Sequence, residues 1–188
     1  MKYEDLLLKK PIESKTYRED SEFIIKQIKD ILDNQMRSGD NKIIINTNLR
    51  MGLPLENINK IAGPMLEAWA GEVFAGIRDD MNNPYHLINV EAQERLGMAD
   101  IILQFKRDSD VLTGNVDVKA TANDIPNSGK GPNITSFSRI RTAYVNDPDF
   151  MFIILSIKHR VYVKRNEQTK LMDGIMEVID HNEYDLKF

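Results

Sequence analysis

Met98-Ala99-Asp100-Ile101-Ile102-Leu103-Gln104-Phe105 and Gly114-Asn115-Val116-Asp117-Val118-Lys119-Ala120-Thr121 decide the fold of this chain. A polar stretch separates the two runs, so they read as antiparallel strands of one hairpin. Asp117 and Lys119 are two residues apart and share one face of their strand, while Val116 and Val118 share the other and point to a core. The pairing brings Asp100, at the start of the first strand, toward Asp117 and Lys119. Two acids and a lysine then converge on one end of a sheet.

That residue set suits metal-assisted phosphodiester chemistry. Mg²⁺ takes hard oxygen ligands, usually one or two carboxylates, and fills its shell with water and substrate phosphate. It lowers the pKa of bound water and offsets charge building on the phosphate. A lysine beside it positions or deprotonates the attacking water. Acid, spacer, then acid-any-lysine resembles the signature of the PD-(D/E)XK nuclease superfamily, over roughly residues 67–163. Ala99 stands where the family's name has proline. The resemblance implies Asp100 and Asp117 as metal ligands, Lys119 as the water-contacting residue and Mg²⁺ as cofactor. It also implies a restriction-endonuclease-like core.

Length and composition set the frame. A chain of 188 residues buries one sizeable core, so one domain over 1–188 is expected. Its parts are a helical 1–80, a catalytic sheet core over 85–165 and a tail over 166–188. With 41% hydrophobic and 29% charged residues it reads as a soluble globular protein. No apolar run approaches the ~20 residues that span a bilayer. The N-terminus lacks the layout of a signal peptide. The absence of cysteine excludes disulfides and thiolate metal sites and suits the cytoplasm. His86, His159 and His181 lack ligand spacing and read as surface or packing residues. The net charge of −4 argues at first against nucleic acid. Yet between Asp124 and Asp147 there are Lys130, Arg139 and Arg141 and no acid.

Asp20 and Ser21 are expected to cap a helix through Phe23, Ile24, Ile28, Ile31 and Leu32, ending before Ser38-Gly39-Asp40. Ile43 to Ile45 reads as strand or extended chain. A second helix spans Leu55 to about Arg78, kinked or split at Gly63-Pro64. Tyr85 to Val90 reads as a strand, Ser136 to Val145 as a helix, and Phe150 to Ile157 with Arg160 to Lys164 as a closing pair of strands. The sum is an α/β (α+β) domain, a central mixed sheet flanked by helices.

On the second helix Ile58, Ile61, Ala62, Met65, Trp69, Val73 and Gly76 fall on one stripe, with Glu72 inside it. A buried glutamate needs a partner. The superfamily places a glutamate on this helix as a further metal or water ligand. Glu72 is therefore favoured over Glu67, which lies on the opposite side. The loop over 121–136 follows the lysine strand and is rich in Asn, Gly, Pro and Ser. Asn side chains suit adenine, and Lys130 suits guanine or phosphate. Similar segments of restriction endonucleases read bases, so Asn127, Lys130, Asn133, Ser136 and Arg139 are the expected DNA-binding residues, with Arg139 on a phosphate.

The expected activity is Mg²⁺-dependent, sequence-specific cleavage of double-stranded DNA. The resemblance is strongest to a type II restriction endonuclease, working as a homodimer on a palindrome. A repair or junction-resolving nuclease of the same superfamily, and a non-catalytic nucleic-acid-binding module, stay open at this point.

Overall fold

The computed structural model describes residues 11–93, 97–124 and 137–188. One six-stranded sheet runs in the order β1-β6-β5-β4-β3-β2, with β1 Lys42–Ile45, β2 Leu87–Ala92, β3 Ile101–Arg107, β4 Asp110–Ala122, β5 Met151–Arg165 and β6 Met172–Asp185. Every neighbouring pair is antiparallel except β4 and β5, which run parallel. The crossover between those two contains α4, Phe137–Asn146.

Helices cover both faces. α1 (Tyr17–Ser38), α2 (Leu55–Lys60) and α3 (Ala62–Asp79) bury Ile24, Ile28, Ile31, Ile58, Leu66 and Phe74 against Leu103, Phe105, Val116, Val118, Ile153, Leu155 and Ile157. A smaller cluster on the other face joins Ile140 of α4 to Ala99, Phe152 and Ile154. Successive β5 residues thus feed two cores, which is why its first half is an unbroken apolar run rather than an alternation.

The expected hairpin is present. β3 and β4 pair from Ile101↔Val116 to Arg107↔Asp110. The expected split of the second helix is also present, one turn earlier than Gly63-Pro64. Pro64 has no N–H to give to the carbonyl four residues back, so the helix breaks at Ile61 and restarts as α3. α2 lies directly on β6: a Cβ at Gly174 would sit 2.7 Å from Ile58 Cδ1.

Four expectations are corrected. Asp20 and Ser21 do not cap α1. Its N-cap is Thr16, and both side chains instead make tertiary contacts, Asp20 with Arg107 and Ser21 Oγ donating to Asp185 Oδ2 at 2.5 Å. The closing pair of strands is a single 15-residue β5. Residues 166–188 are no tail: they hold β6, paired on one side to β5 and on the other to β1. On α3 the buried line is Ala62, Leu66, Ala70 and Phe74, with Met65, Trp69, Val73 and Ile77 at its flank. Ile61 and Glu72 are exposed.

β6 is tied to α1 by polar groups that its sequence hides. Asp185 is buried and accepts from the Tyr17 hydroxyl at 2.8 Å as well as from Ser21. His181 is buried between Glu183, 2.6 Å from Nδ1, and Asp33 of α1, 3.2 Å from Nε2. Burial opposes its protonation, but the hydrogen bond and charge of Glu183, with those of Asp33, outweigh it and hold the imidazole above its ordinary value. A raised histidine contributes stability that is complete below the unfolded value of about 6.5 and is lost as pH rises through the folded value. His181→Gln should therefore be destabilised relative to the parent at pH 6, with the gap shrinking by pH 8.5. Urea midpoints of the two proteins across that range check this. Parallel profiles would show that His181 is neutral throughout.

Candidate active site

Asp100 stands one residue before β3, and its backbone N–H donates to the Val116 carbonyl at 2.9 Å. Continuing the β3–β4 register sets it directly opposite Asp117. Its Oδ2 accepts from the Val118 amide at 2.7 Å. Both the chain and the side chain of Asp100 are thus fixed to the strand that carries the second acid. Like charges opposed on neighbouring strands repel, and these bonds hold Asp100 in place against that repulsion.

Asp117 is 3% exposed. In the parallel register it lies beside Ile154, and Lys119 beside Ser156, so both point to the α4 side while Val116 and Val118 enter the main core, as the strand period requires. Lys119 Nζ donates to Asp117 Oδ1 at 2.6 Å. Asp117 Oδ2 is buried with no hydrogen-bond partner among the described residues. Burial pushes the Asp117 carboxyl up, Lys119 opposes the shift and the charge of Asp100 adds to it, for a value of about 6.

The third carboxylate belongs to Glu67. It lies half-buried on α3, and its pKa is raised by burial first and then by the charge of Asp100, with Lys119 opposing and Asp117 adding. Glu67 and Asp100 line a cleft of about 570 Å³ between α3 and the β2–β3 edge, floored by Ala68, Gly71 and Ala75. Glu72 sits at the rim of the same cleft, exposed. The structure brings Asp100, Asp117 and Lys119 together as the hairpin predicts. Of the two helix glutamates, Glu67 is half-buried and Glu72 exposed, because the buried face of α3 is centred on Leu66 and Ala70 rather than on Trp69.

Arg139 is exposed on α4. Asn127, Lys130, Asn133 and Ser136 lie outside the described residues. His159, read from the sequence as a packing residue, is buried at the register position beside Ala122, where β4 ends. Its Nε2 lies 3.2 Å from Asn59 Oδ1 of α2, and its carbonyl accepts from Asn123 N at 2.8 Å. It anchors the root of the segment that follows the lysine strand.

Among the described residues no three Asp, Glu or His side chains are gathered tightly enough to hold a metal ion. Lys119 covers one oxygen of Asp117 instead. The donor set nonetheless fits a hard divalent cation: all ligating atoms are carboxylate oxygens, one of them buried and unpartnered. Without such a cation the acids strain the fold. An acid with a raised pKa takes up a proton on folding, so stability falls as pH rises from about 3.8 to about 6. In chelator, Asp117→Asn should be more stable than the parent at pH 7.5 by about 1–3 kcal/mol, and the advantage should vanish near pH 4. Thermal melts at the two pH values check it. A variant less stable at pH 7.5 would mean that Lys119 fully compensates the buried charge.

A family model described as type II restriction endonuclease HpaI matches residues 4–188. The type II restriction enzyme HpaI of Haemophilus parainfluenzae is 70% identical over 188 residues, which is 100% of this chain and 74% of that protein. No described helix is long and apolar enough to cross a membrane. The chain belongs to the HpaI family of type II restriction endonucleases.

Proposed function

We propose that this restriction endonuclease cleaves double-stranded DNA at a specific sequence, with Mg²⁺ as cofactor and as a homodimer, in the cytoplasm. The observation that carries the reading is Asp117: a buried carboxylate with one bare oxygen, opposite Asp100, within the field of Glu67 and bound to Lys119. Carboxylates gathered this way cost stability, because each negative charge opposes ionisation of its neighbours. A site that receives a cation and a phosphate needs this arrangement.

In this reading Asp100 and Asp117 hold the Mg²⁺, and Glu67 is the third carboxylate, reaching it directly or through water. When bound, the cation supplies charge neutralisation at the scissile phosphate and an acidified water. Lys119 is the proton-handling group: its Nζ, now on Asp117 Oδ1, is placed to orient the attacking water and to offset charge on the phosphate. Asp100, which lines the cleft, has one oxygen committed to the Val118 amide and so is fixed in place. The cleft beside α3 has a floor of small side chains, so a DNA strand can approach Glu67 and Asp100. One monomer carries one such centre, and cutting both strands of a palindrome takes two.

Arg139 on α4 and the segment over 127–136 are assigned to DNA. Phosphate contacts position the protein, and base contacts specify the sequence. Arg139→Ala should weaken binding to all sequences and lower the salt slope by about one per protomer. Lys130→Ala and Asn133→Ala should each lose about 1–3 kcal/mol on the cut sequence and spare random DNA. Equal small losses in all three variants, measured by binding titration in Ca²⁺, would remove the segment from recognition.

Plasmid digestion with sequencing of the ends tests the activity. The parent with Mg²⁺ should give discrete, repeated ends. Asp117→Ala should lower the rate by roughly 10²–10⁴-fold while still binding DNA in Ca²⁺. Glu67→Gln should lower it clearly, and Glu72→Gln should be mild. The reverse ranking of the glutamates would refute the assignment of Glu67. Sedimentation should show a dimer with cut-site DNA, and a stable monomer in that mixture would refute the homodimer.

A further inference from the structure

Beyond the site, β5 keeps going. β4 stops pairing at Ala122↔His159, whereas β5 continues to Arg165. Past that point β5 has only β6 beside it, and β6 has β1 on its far side, from Lys42↔Glu177 to Ile45↔Gly174. The result is a three-stranded arm of the sheet that runs on past the last β4 pairing, with α2 seated on it at Gly174 and with Val161 and Met176 in the main core. The arm lies at the end of the sheet that carries Lys119 and the root of the 123–136 segment. Nine residues separate Ser156, beside Lys119, from Arg165 near the tip. At about 3.3 Å per residue the tip lies up to about 30 Å from the reacting centre.

The tip is basic and concave. A cleft of about 610 Å³ is lined by Arg50, Arg165, Thr169, Lys170, Leu171 and Met172. Lys170 is 3.4 Å from Glu167, and Asp173 accepts from Asn166. Arg50 and Arg165 have no carboxylate within 4.0 Å among the described residues, in a chain whose net charge is −4. Their relative placement is built in. Arg50 rides on the loop between β1 and α2, and that loop is seated on β6 at Gly52. The φ of +70° there favours glycine, and a Cβ would lie 2.9 Å from Met172 Cβ and 3.2 Å from the Met172 carbonyl oxygen. Arg165 pairs with the same Met172.

We infer that this arm is a second DNA contact, in which Arg50 and Arg165 grip the sugar-phosphate backbone of the duplex outside the cut site. The inference rests on the reading of the chain as a DNA endonuclease. A reach of about 30 Å corresponds to roughly nine base pairs, just under one helical turn. The contact reads no bases and adds affinity that depends on duplex length and salt. In a chain whose net charge is −4 it gives the flanking phosphates two arginines with no carboxylate within 4.0 Å among the described residues.

The test uses the cut site mapped from digested plasmid, placed at the centre of duplexes of about 14 and about 40 base pairs. Binding is measured in Ca²⁺ across a salt series for the parent, for Arg50→Ala/Arg165→Ala, and for a charge-matched control, Arg18→Ala/Lys26→Ala on α1. The parent should bind the longer duplex on the order of tenfold more tightly. The arm variant should lose that gain and about four units of salt slope on the longer duplex, two from each protomer, and match the parent on the shorter one. The control should match the parent on both. The arm variant should still cut plasmid at the same positions at saturating enzyme. A parent that cuts but whose arm variant binds both duplexes as it does overturns the inference alone. So does an arm variant whose only change is in self-association. A parent that cuts no DNA overturns the endonuclease reading and this inference with it.

Discussion

The hydrogen bond from the Val118 amide to the Asp100 carboxylate, with the reciprocal strand bond from Asp100 N–H to the Val116 carbonyl, is the constraint on which the site depends. Without it two acids facing each other across a hairpin would splay apart. With it, Asp100 is held opposite Asp117, and neither can move independently of the central strand. That strand is itself immobilised. Val116 and Val118 are buried in the main core, β3 flanks one side and the parallel β5 the other. The rigid part of the fold is thereby used to keep charges close that would otherwise separate, a destabilisation the rest of the core offsets.

The hairpin was legible in the sequence because its information is local. A period of two puts Asp117 and Lys119 on one side and Val116 and Val118 on the other, and an antiparallel register brings Asp100 across. The burial of the two helix glutamates was not legible for a reason found at Trp69. A tryptophan draws the apparent centre of an apolar stripe toward itself. In the structure Trp69 is at the rim, its Nε1 donating to the Asp40 carbonyl at 3.3 Å, as suits a side chain with one polar end. The centre belongs to Ala62, Leu66, Ala70 and Phe74, whose small members let α3 lie close to the sheet. Turning the helix to that phase moves Glu72 outward and Glu67 toward Asp100. β6 was missed for a related reason. Its acids and histidine look like those of a solvated tail, but Asp185, His181 and Glu183 are partnered by residues of α1 and of β6 itself, and such partners are distant in sequence or unrecognisable before folding. Asp20 and Ser21 carried a cap-like pattern and were used for tertiary bonds instead.

Acids gathered with one lysine have a consequence for stability as well as for chemistry. The charge of Asp100 raises the energy of the ionised forms of Asp117 and Glu67, Asp117 adds to that of Glu67, and Lys119 offsets only part of it. In the proposed reading, a cation held by Asp100 and Asp117 would relieve that repulsion. Binding free energy then appears as folding stability, because the unfolded chain has no comparable ligand set. Lys119 Nζ, 2.6 Å from Asp117 Oδ1, supplies the partial compensation.

The direct measurement of that claim is the thermal midpoint of the protein, free of DNA, titrated with Mg²⁺ at pH 7.5. The account predicts a midpoint that rises with Mg²⁺ in the parent, by about 2.7 kcal/mol of stability at one hundred times the dissociation constant. It predicts little or no rise in Asp117→Asn and a reduced rise in Glu67→Gln. A parent whose midpoint is indifferent to Mg²⁺, or variants that respond as it does, would contradict the account.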